Sequence, residues 1–199
     1  MVRIKGLQKT SLLDYEPHIA SIVFLAGCNL RCGYCQNPEL ARDDKELNEI
    51  NEDEVIKFLE QRGKWIEGVC ISGGEPTIQK DLPAFIQKIK NLGLKVKLDT
   101  NGTNPEMLKV LIEKKLIDYI AMDIKTSEKK YSDLTKTKVN TGNIKKSADI
   151  IKKSGIKHEF RITAVPGIVN ENDIMEMGND KCGVVNLNIC CQRSLHETR

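Results

Sequence analysis

The sequence is poor in the features that mark membrane, secreted or nucleic-acid-binding proteins. Its longest apolar run, Ile19 to Ala26, is broken by Ser21 and is far shorter than the roughly 20 residues that cross a bilayer. The N-terminal MVRIKGLQKTSLLDYEPH has no apolar core followed by a cleavage site, so no secretory signal is expected. Aromatic residues make up 5 % and are not interleaved with the bases as in a nucleic-acid groove, so no nucleic-acid partner is expected. No linker, low-complexity tract or internal repeat interrupts the chain. His18, His158 and His196 share no motif, and Cys70, within an apolar run, reads as a small core residue. Seven cysteines, an odd number, suit a reduced cytoplasmic protein rather than a disulfide framework.

What is present is 199 residues, 40 % hydrophobic and 30 % charged, enough for one domain with a buried core. The net charge of +3 conceals an asymmetry. Nine acids face three bases from Glu39 to Glu60, and ten lysines face three acids from Lys125 to Lys157. The second stretch reads as a solvated helix face or as a docking surface for an acidic partner.

The most informative stretch is Ala26 to Asn37, AGCNLRCGYCQN, in which Cys28, Cys32 and Cys35 fall at C-x3-C-x2-C spacing. Three thiolates on one short loop, with Gly27 and Gly33 easing the backbone, can each reach a different iron of one four-iron four-sulfur cluster. The fourth iron is left open to a substrate or second cofactor. A structural zinc site would instead repeat the C-x2-C pair or join it to histidines.

Apolar periodicity predicts strands at Ile19–Leu25, Ile66–Ile71, Leu94–Leu98, Ile117–Met122 and Ile156–Val165, with a hairpin over residues 1–18. Helices are expected from Asn51, from Asp81 to Gly93, from Asn104-Pro105, and around Ile144, Ala148 and Ile151 up to Gly155. Such alternation requires a parallel sheet with right-handed crossovers. The expected fold is therefore α/β, an incomplete βα barrel of five to six parallel strands in a single domain, with its core at about residues 19–175.

Four polar motifs lie at the C-terminal ends of predicted strands, which share one face of such a sheet. They are the cysteine loop, Ser72-Gly73-Gly74-Glu75-Pro76, Asp99-Thr100-Asn101-Gly102 and Asp123-Ile124-Lys125. The glycines let backbone approach a ligand, and Glu75 could receive an ammonium group. Asp99, Thr100, Asp123 and Lys125 could bind a cation, ribose hydroxyls or a carboxylate, or serve as caps and ion pairs. Arg161, inside the apolar FRITAV, needs an anion, either a ligand carboxylate or an internal partner. Tyr34 could lie against a purine or pack in the core.

CNLRCGYC followed in order by SGGEP, LDTNG, MDIK and FRITAVPG resembles the radical S-adenosylmethionine superfamily over roughly residues 1–175. Within it the likeness is nearest to activating enzymes of glycyl-radical proteins, those of the anaerobic ribonucleoside-triphosphate reductase first and of pyruvate formate-lyase second. The resemblance implies a [4Fe-4S] cluster on Cys28, Cys32 and Cys35, with S-adenosyl-L-methionine chelating its open iron. It implies that Gly73, Gly74 and Glu75 position the methionyl amine, Lys125 and Arg161 the carboxylate, and Tyr34 the adenine. It further implies a monovalent cation near Asp99, Thr100 and Asp123, and an electron donor such as flavodoxin or ferredoxin. The expected reaction is reductive cleavage to a 5'-deoxyadenosyl radical that generates a glycyl radical on a partner enzyme. The alternatives are a small-metabolite enzyme such as a 7-carboxy-7-deazaguanine synthase, and a nonenzymatic iron-sulfur electron carrier or scaffold. After about Glu176 the pattern departs. The segment 177–199, with Cys182, Cys190 and Cys191, is read either as a sixth strand at Val184–Ile189 or as a truncated or frame-shifted terminus.

Overall fold

The computed structural model describes residues 1–163, 169–170 and 172–173. Six strands form one sheet in chain order: β1 (Ile4–Ser11), β2 (Ala20–Leu25), β3 (Gly68–Gly73), β4 (Lys95–Thr100), β5 (Tyr119–Asp123) and β6 (Lys157–Arg161). Strands β2 to β6 are parallel, whereas β1 is antiparallel to β2. The N-terminal hairpin thus adds an edge strand to the core sheet instead of standing ahead of it. That edge is the sixth strand observed. The candidate at Val184–Ile189 lies outside the described residues, as do Cys182, Cys190, Cys191 and His196.

The crossovers carry the helices α1 (Pro38–Arg42), α2 (Glu52–Arg62), α3 (Leu82–Asn91), α4 (Pro105–Glu113), α5 (Tyr131–Thr135) and α6 (Thr141–Lys153). Local chemistry sets their ends. The Asn51 carboxamide accepts from Asp53 N at 2.8 Å, and that of Asn104 accepts from Met107 N at 3.3 Å ahead of Pro105. Gly93 and Gly155, at φ +78° and +73°, follow α3 and α6 in the left-handed backbone that glycine adopts without a Cβ penalty. The short helices α1 and α5 were not expected, because five residues are too few to show an apolar period.

Side-chain alternation along the strands separates two environments. Val69, Ile71, Val96, Leu98, Ile120, Met122 and Phe160 join Leu59, Phe85, Ile89, Leu108, Leu111 and Ile151 of the helices in one buried core. Each such side chain contributes about 1.5–3 kcal/mol by leaving water. The intervening residues point to the opposite, concave face. On β4 to β6 they include Lys97, Asp99, Tyr119, Asp123, Glu159 and Arg161, so that part of the face is largely polar and charged. Its lower end is covered by the loop between β1 and β2. There Tyr15 lies against Tyr119 with ring centroids 5.9 Å apart, and the Asp14 carbonyl accepts from Lys97 Nζ at 2.6 Å.

Candidate active site

One cavity of about 410 Å³ opens at the C-terminal ends of the parallel strands. Cys28, Cys32, Tyr34, Cys35, Gly73, Gly74, Glu75, Asp99, Thr100, Asp123, Lys125 and Arg161 all line it, so every expected site residue is brought to one place. The cause is topological, since each motif leaves the sheet where a parallel strand ends.

The cysteine loop is tied down through its backbone. Gly27 N and Cys28 N donate to Leu40 O and Ala41 O of α1 at 2.8 and 3.0 Å, and Arg31 N donates to Thr135 O of α5 at 2.9 Å. Gly27 takes φ +82°, whereas Gly33 has no left-handed backbone and open space around it, so only the first glycine is required by the turn. Burial pushes the Cys28 thiol up to about 11 and also raises Cys32, so anchoring a cation there must displace their protons. Among the described residues, no three His, Cys, Asp or Glu side chains converge on a single ion.

Gly73 and Gly74 are sterically demanded. A Cβ on Gly73, at φ +115°, would lie 2.4 Å from Leu25 N and O, and one on Gly74 would lie 1.9 Å from Gly27 O. The strand end is thus packed directly against the root of the cysteine loop, with Glu75 N donating to Gly27 O at 2.8 Å.

Glu75 differs from the expectation that its carboxylate receives an ammonium group. It is buried, and both oxygens are taken by the protein. Oε1 accepts from Thr77 N at 3.1 Å, from the Thr77 hydroxyl, and from Thr100 Oγ1 at 2.7 Å, while Oε2 accepts from Asn101 N at 2.6 Å. Burial raises its pKa, and these hydrogen bonds oppose the rise. Glu75 therefore clamps the glycine turn to the β4 loop, and the Thr100 hydroxyl donates to the same clamp.

The concave face holds a lattice of alternating charge. Asp123 accepts from Arg161 Nε and Lys125 Nζ, each at 2.9 Å. Arg161 Nη1 lies 3.5 Å from Asp99 Oδ1, and Lys97 Nζ lies 3.4 Å from Glu159 and 3.8 Å from Asp99. Burial pushes Asp123 up, but Lys125 and Arg161 outweigh it and hold the carboxyl below its ordinary value. Asp99 is raised by burial despite Arg161 and Lys97. Three cations, Lys97, Lys125 and Arg161, thus face three carboxylates, Asp99, Asp123 and Glu159.

Tyr34 and Asp99 both line the cavity, and their buried Oη and Oδ1 atoms have no hydrogen-bond partner in the protein. Buried polar groups are rarely left so, and these fit a polar ligand in the cavity. The Tyr34 ring also packs against the core. Sequence reasoning left out Lys97, Glu159 and the side chain of Asn101. The strict alternation in KVKLDT and KHEFR was the signal that placed the first two on the face of Asp99 and Arg161. The basic stretch from Lys125 to Lys157 is in part neutralised. Lys130, Lys145 and Lys146 pair with Asp173, Glu128 and Glu106, and Lys125 is committed to the cavity.

Parallel strands with a cysteine loop after the first and a glycine turn after the second define a class, and residues 22–179 match the description Radical SAM superfamily. The chain belongs to that family, whose members use a [4Fe-4S] cluster and S-adenosylmethionine. It is 38 % identical over 182 residues to a Methanocaldococcus jannaschii protein assigned as a glycyl-radical enzyme activating enzyme, covering 87 % of this chain and 73 % of that one. It is 29 % identical over 182 residues to the pyruvate formate-lyase-activating enzyme of Clostridium pasteurianum, with the same coverage. Among solved structures, Streptococcus suis SuiB bound to S-adenosylmethionine superposes with a TM-score of 0.62 at 21 % identity, over 87 % of this chain and 38 % of that one, which supports the fold. No helix among the described residues is long and apolar enough to cross a membrane.

Proposed function

We propose that this chain activates a glycyl-radical enzyme, with the anaerobic ribonucleoside-triphosphate reductase as its partner and a flavodoxin or ferredoxin as electron donor. The observation that carries the reading is the convergence of three cysteines, a glycine turn and a carboxylate–cation lattice on one cavity in a chain related to activating enzymes. Cys28, Cys32 and Cys35 hold the cluster in this reading. Gly73 and Gly74 offer close backbone approach to the methionyl amine, Lys125 and Arg161 take the carboxylate with donors not used on Asp123, and Tyr34 flanks the adenine. When bound, the cluster and S-adenosylmethionine supply one-electron cleavage of the sulfonium and a 5'-deoxyadenosyl radical. The protein orients the two groups, keeps Asp123 ionised between Lys125 and Arg161, and shields the cavity from water.

Pyruvate formate-lyase is a second partner, favoured by the relationship to the clostridial enzyme. Reduced protein, S-adenosylmethionine and each candidate partner are mixed anaerobically and the electron paramagnetic resonance spectrum recorded. A glycyl doublet on one partner that disappears with Cys32→Ala supports the reading. Release of 5'-deoxyadenosine without a doublet on either partner overturns it in favour of a small-metabolite substrate.

A further inference from the structure

A ring of side-chain amides and a hydroxyl joins the cysteine loop to the loop after β4. Asn29 Nδ2 donates to Thr103 Oγ1 at 2.7 Å, Thr103 Oγ1 donates to Asn101 Oδ1 at 2.7 Å, and Asn101 Nδ2 donates to Asn29 Oδ1 at 3.0 Å. The orientation of the Asn101 amide is fixed independently. Thr103 N, which can only donate, lies 3.0 Å from Asn101 Oδ1, so the oxygen must face it and the amino group must face the cysteine loop. The Asn101 backbone is also pinned, through its N–H to Glu75 Oε2 at 2.6 Å. An Asn side chain amide has two hydrogens. One goes to Asn29, and Cys28 Sγ lies 3.9 Å from the same nitrogen. The Leu30 N–H, 3.4 Å away, is a second donor to that sulfur.

We propose that Asn101 is a positioning residue that directs a side-chain N–H at the Cys28 sulfur and thereby raises the reduction potential of the cluster that this cysteine carries. The inference rests on the assignment of Cys28 as a cluster ligand. Reduction adds negative charge to a cluster and its thiolates, and a donor aimed at a ligand sulfur stabilises that charge. Because the amide is oriented by Thr103 and Asn29 before any ligand arrives, its dipole needs no reorganisation when the electron does.

The test is an anaerobic redox titration of reconstituted full chain, wild type against Asn101→Leu and Asn101→Asp, followed by visible absorbance, with iron and sulfide content and melting temperature measured on each. Asn101→Leu removes the donor. Asn101→Asp keeps the acceptor for Thr103, removes the donor and adds a negative charge beside the sulfur. Both variants are expected to keep their iron and to titrate at more negative potential. At the poise where wild type is half reduced, the reduced-to-oxidised ratio should fall about three- to tenfold, tenfold being about 59 mV for a one-electron couple, with the larger fall in Asn101→Asp. A lower melting temperature with an unchanged potential would reveal a structural latch and overturn the proposal. If only Asn101→Leu loads, its ratio decides alone, and an unchanged ratio in either loaded variant overturns the proposal. Failure of both variants to load iron overturns the proposal, and a wild type that holds no cluster overturns the ligand assignment and this inference with it.

Discussion

Substituting Gly74 by alanine tests the packing between the glycine turn and the cysteine loop. The added Cβ would sit 1.9 Å from Gly27 O, 2.5 Å from Gly27 C and 3.2 Å from Cys28 N, all of them backbone atoms that cannot swing aside. Restoring an ordinary contact of 3.4 Å to Gly27 O requires the two segments to part by about 1.5 Å. That movement breaks the 2.8 Å bond from Glu75 N to Gly27 O and strains the anchors of Gly27 and Cys28 on α1. A lost buried hydrogen bond costs about 1 kcal/mol and overpacking a further 1–3 kcal/mol. For a chain of this size the melting temperature should fall by about 4–16 °C. Gly33→Ala is the internal control. It lies in the same cysteine loop, meets nothing within 4 Å and has no left-handed backbone, so it should melt within about 2 °C of wild type. Differential scanning calorimetry of the two variants, with iron content after anaerobic reconstitution, decides the matter. Loss of iron and stability in Gly74→Ala but not in Gly33→Ala is expected. Equal behaviour of the two would refute the packing argument.

Three further outcomes follow from the same geometry. Asn104→Ala removes both the cap of α4 and the 2.7 Å bond from Nδ2 to Thr77 O, and should cost about 1–2 kcal/mol in denaturant unfolding without loss of cluster loading. Glu75→Gln turns an amide toward the Asn101 N–H, leaving a buried donor without an acceptor, and should cost about 2–3 kcal/mol by the same measurement. Asp123 binds its proton more weakly folded than unfolded. Its stabilisation is therefore complete above the ordinary value of 3.8 and is lost as pH falls through the lower folded value. Melting curves from about pH 5 to pH 2 should show that slope in wild type and a flatter one in Asp123→Asn.

How far residue order revealed the molecule depended on the range of the interaction involved. The parallel strands and the long helices were legible because apolar periodicity and asparagine or glycine ends are local signals. The cavity was legible because parallel topology gathers all strand ends, whatever their spacing in the chain. Partner choice within the cavity was not. Glu75 reads as a free carboxylate until Thr77, Thr100 and Asn101 are seen to surround it. Nothing near Asp99 or Asp123 in the sequence shows that Arg161 of β6 will lie against both. Nothing in LDTNG announces that Thr103 will orient the Asn101 amide toward Cys28. The antiparallel β1 was half-legible: the hairpin was visible, but not that it pairs with the first core strand.

The central claim is that the cavity binds a cluster and S-adenosylmethionine together for reductive cleavage, and 5'-deoxyadenosine release tests it most directly. Full-length protein is reconstituted anaerobically, checked for about four irons per chain, reduced, and given S-adenosylmethionine, and the nucleoside is quantified by chromatography. Sustained release is expected from wild type and none from Cys28→Ala, Cys32→Ala or Cys35→Ala. A wild-type protein with a complete, reducible cluster that releases no 5'-deoxyadenosine would contradict it.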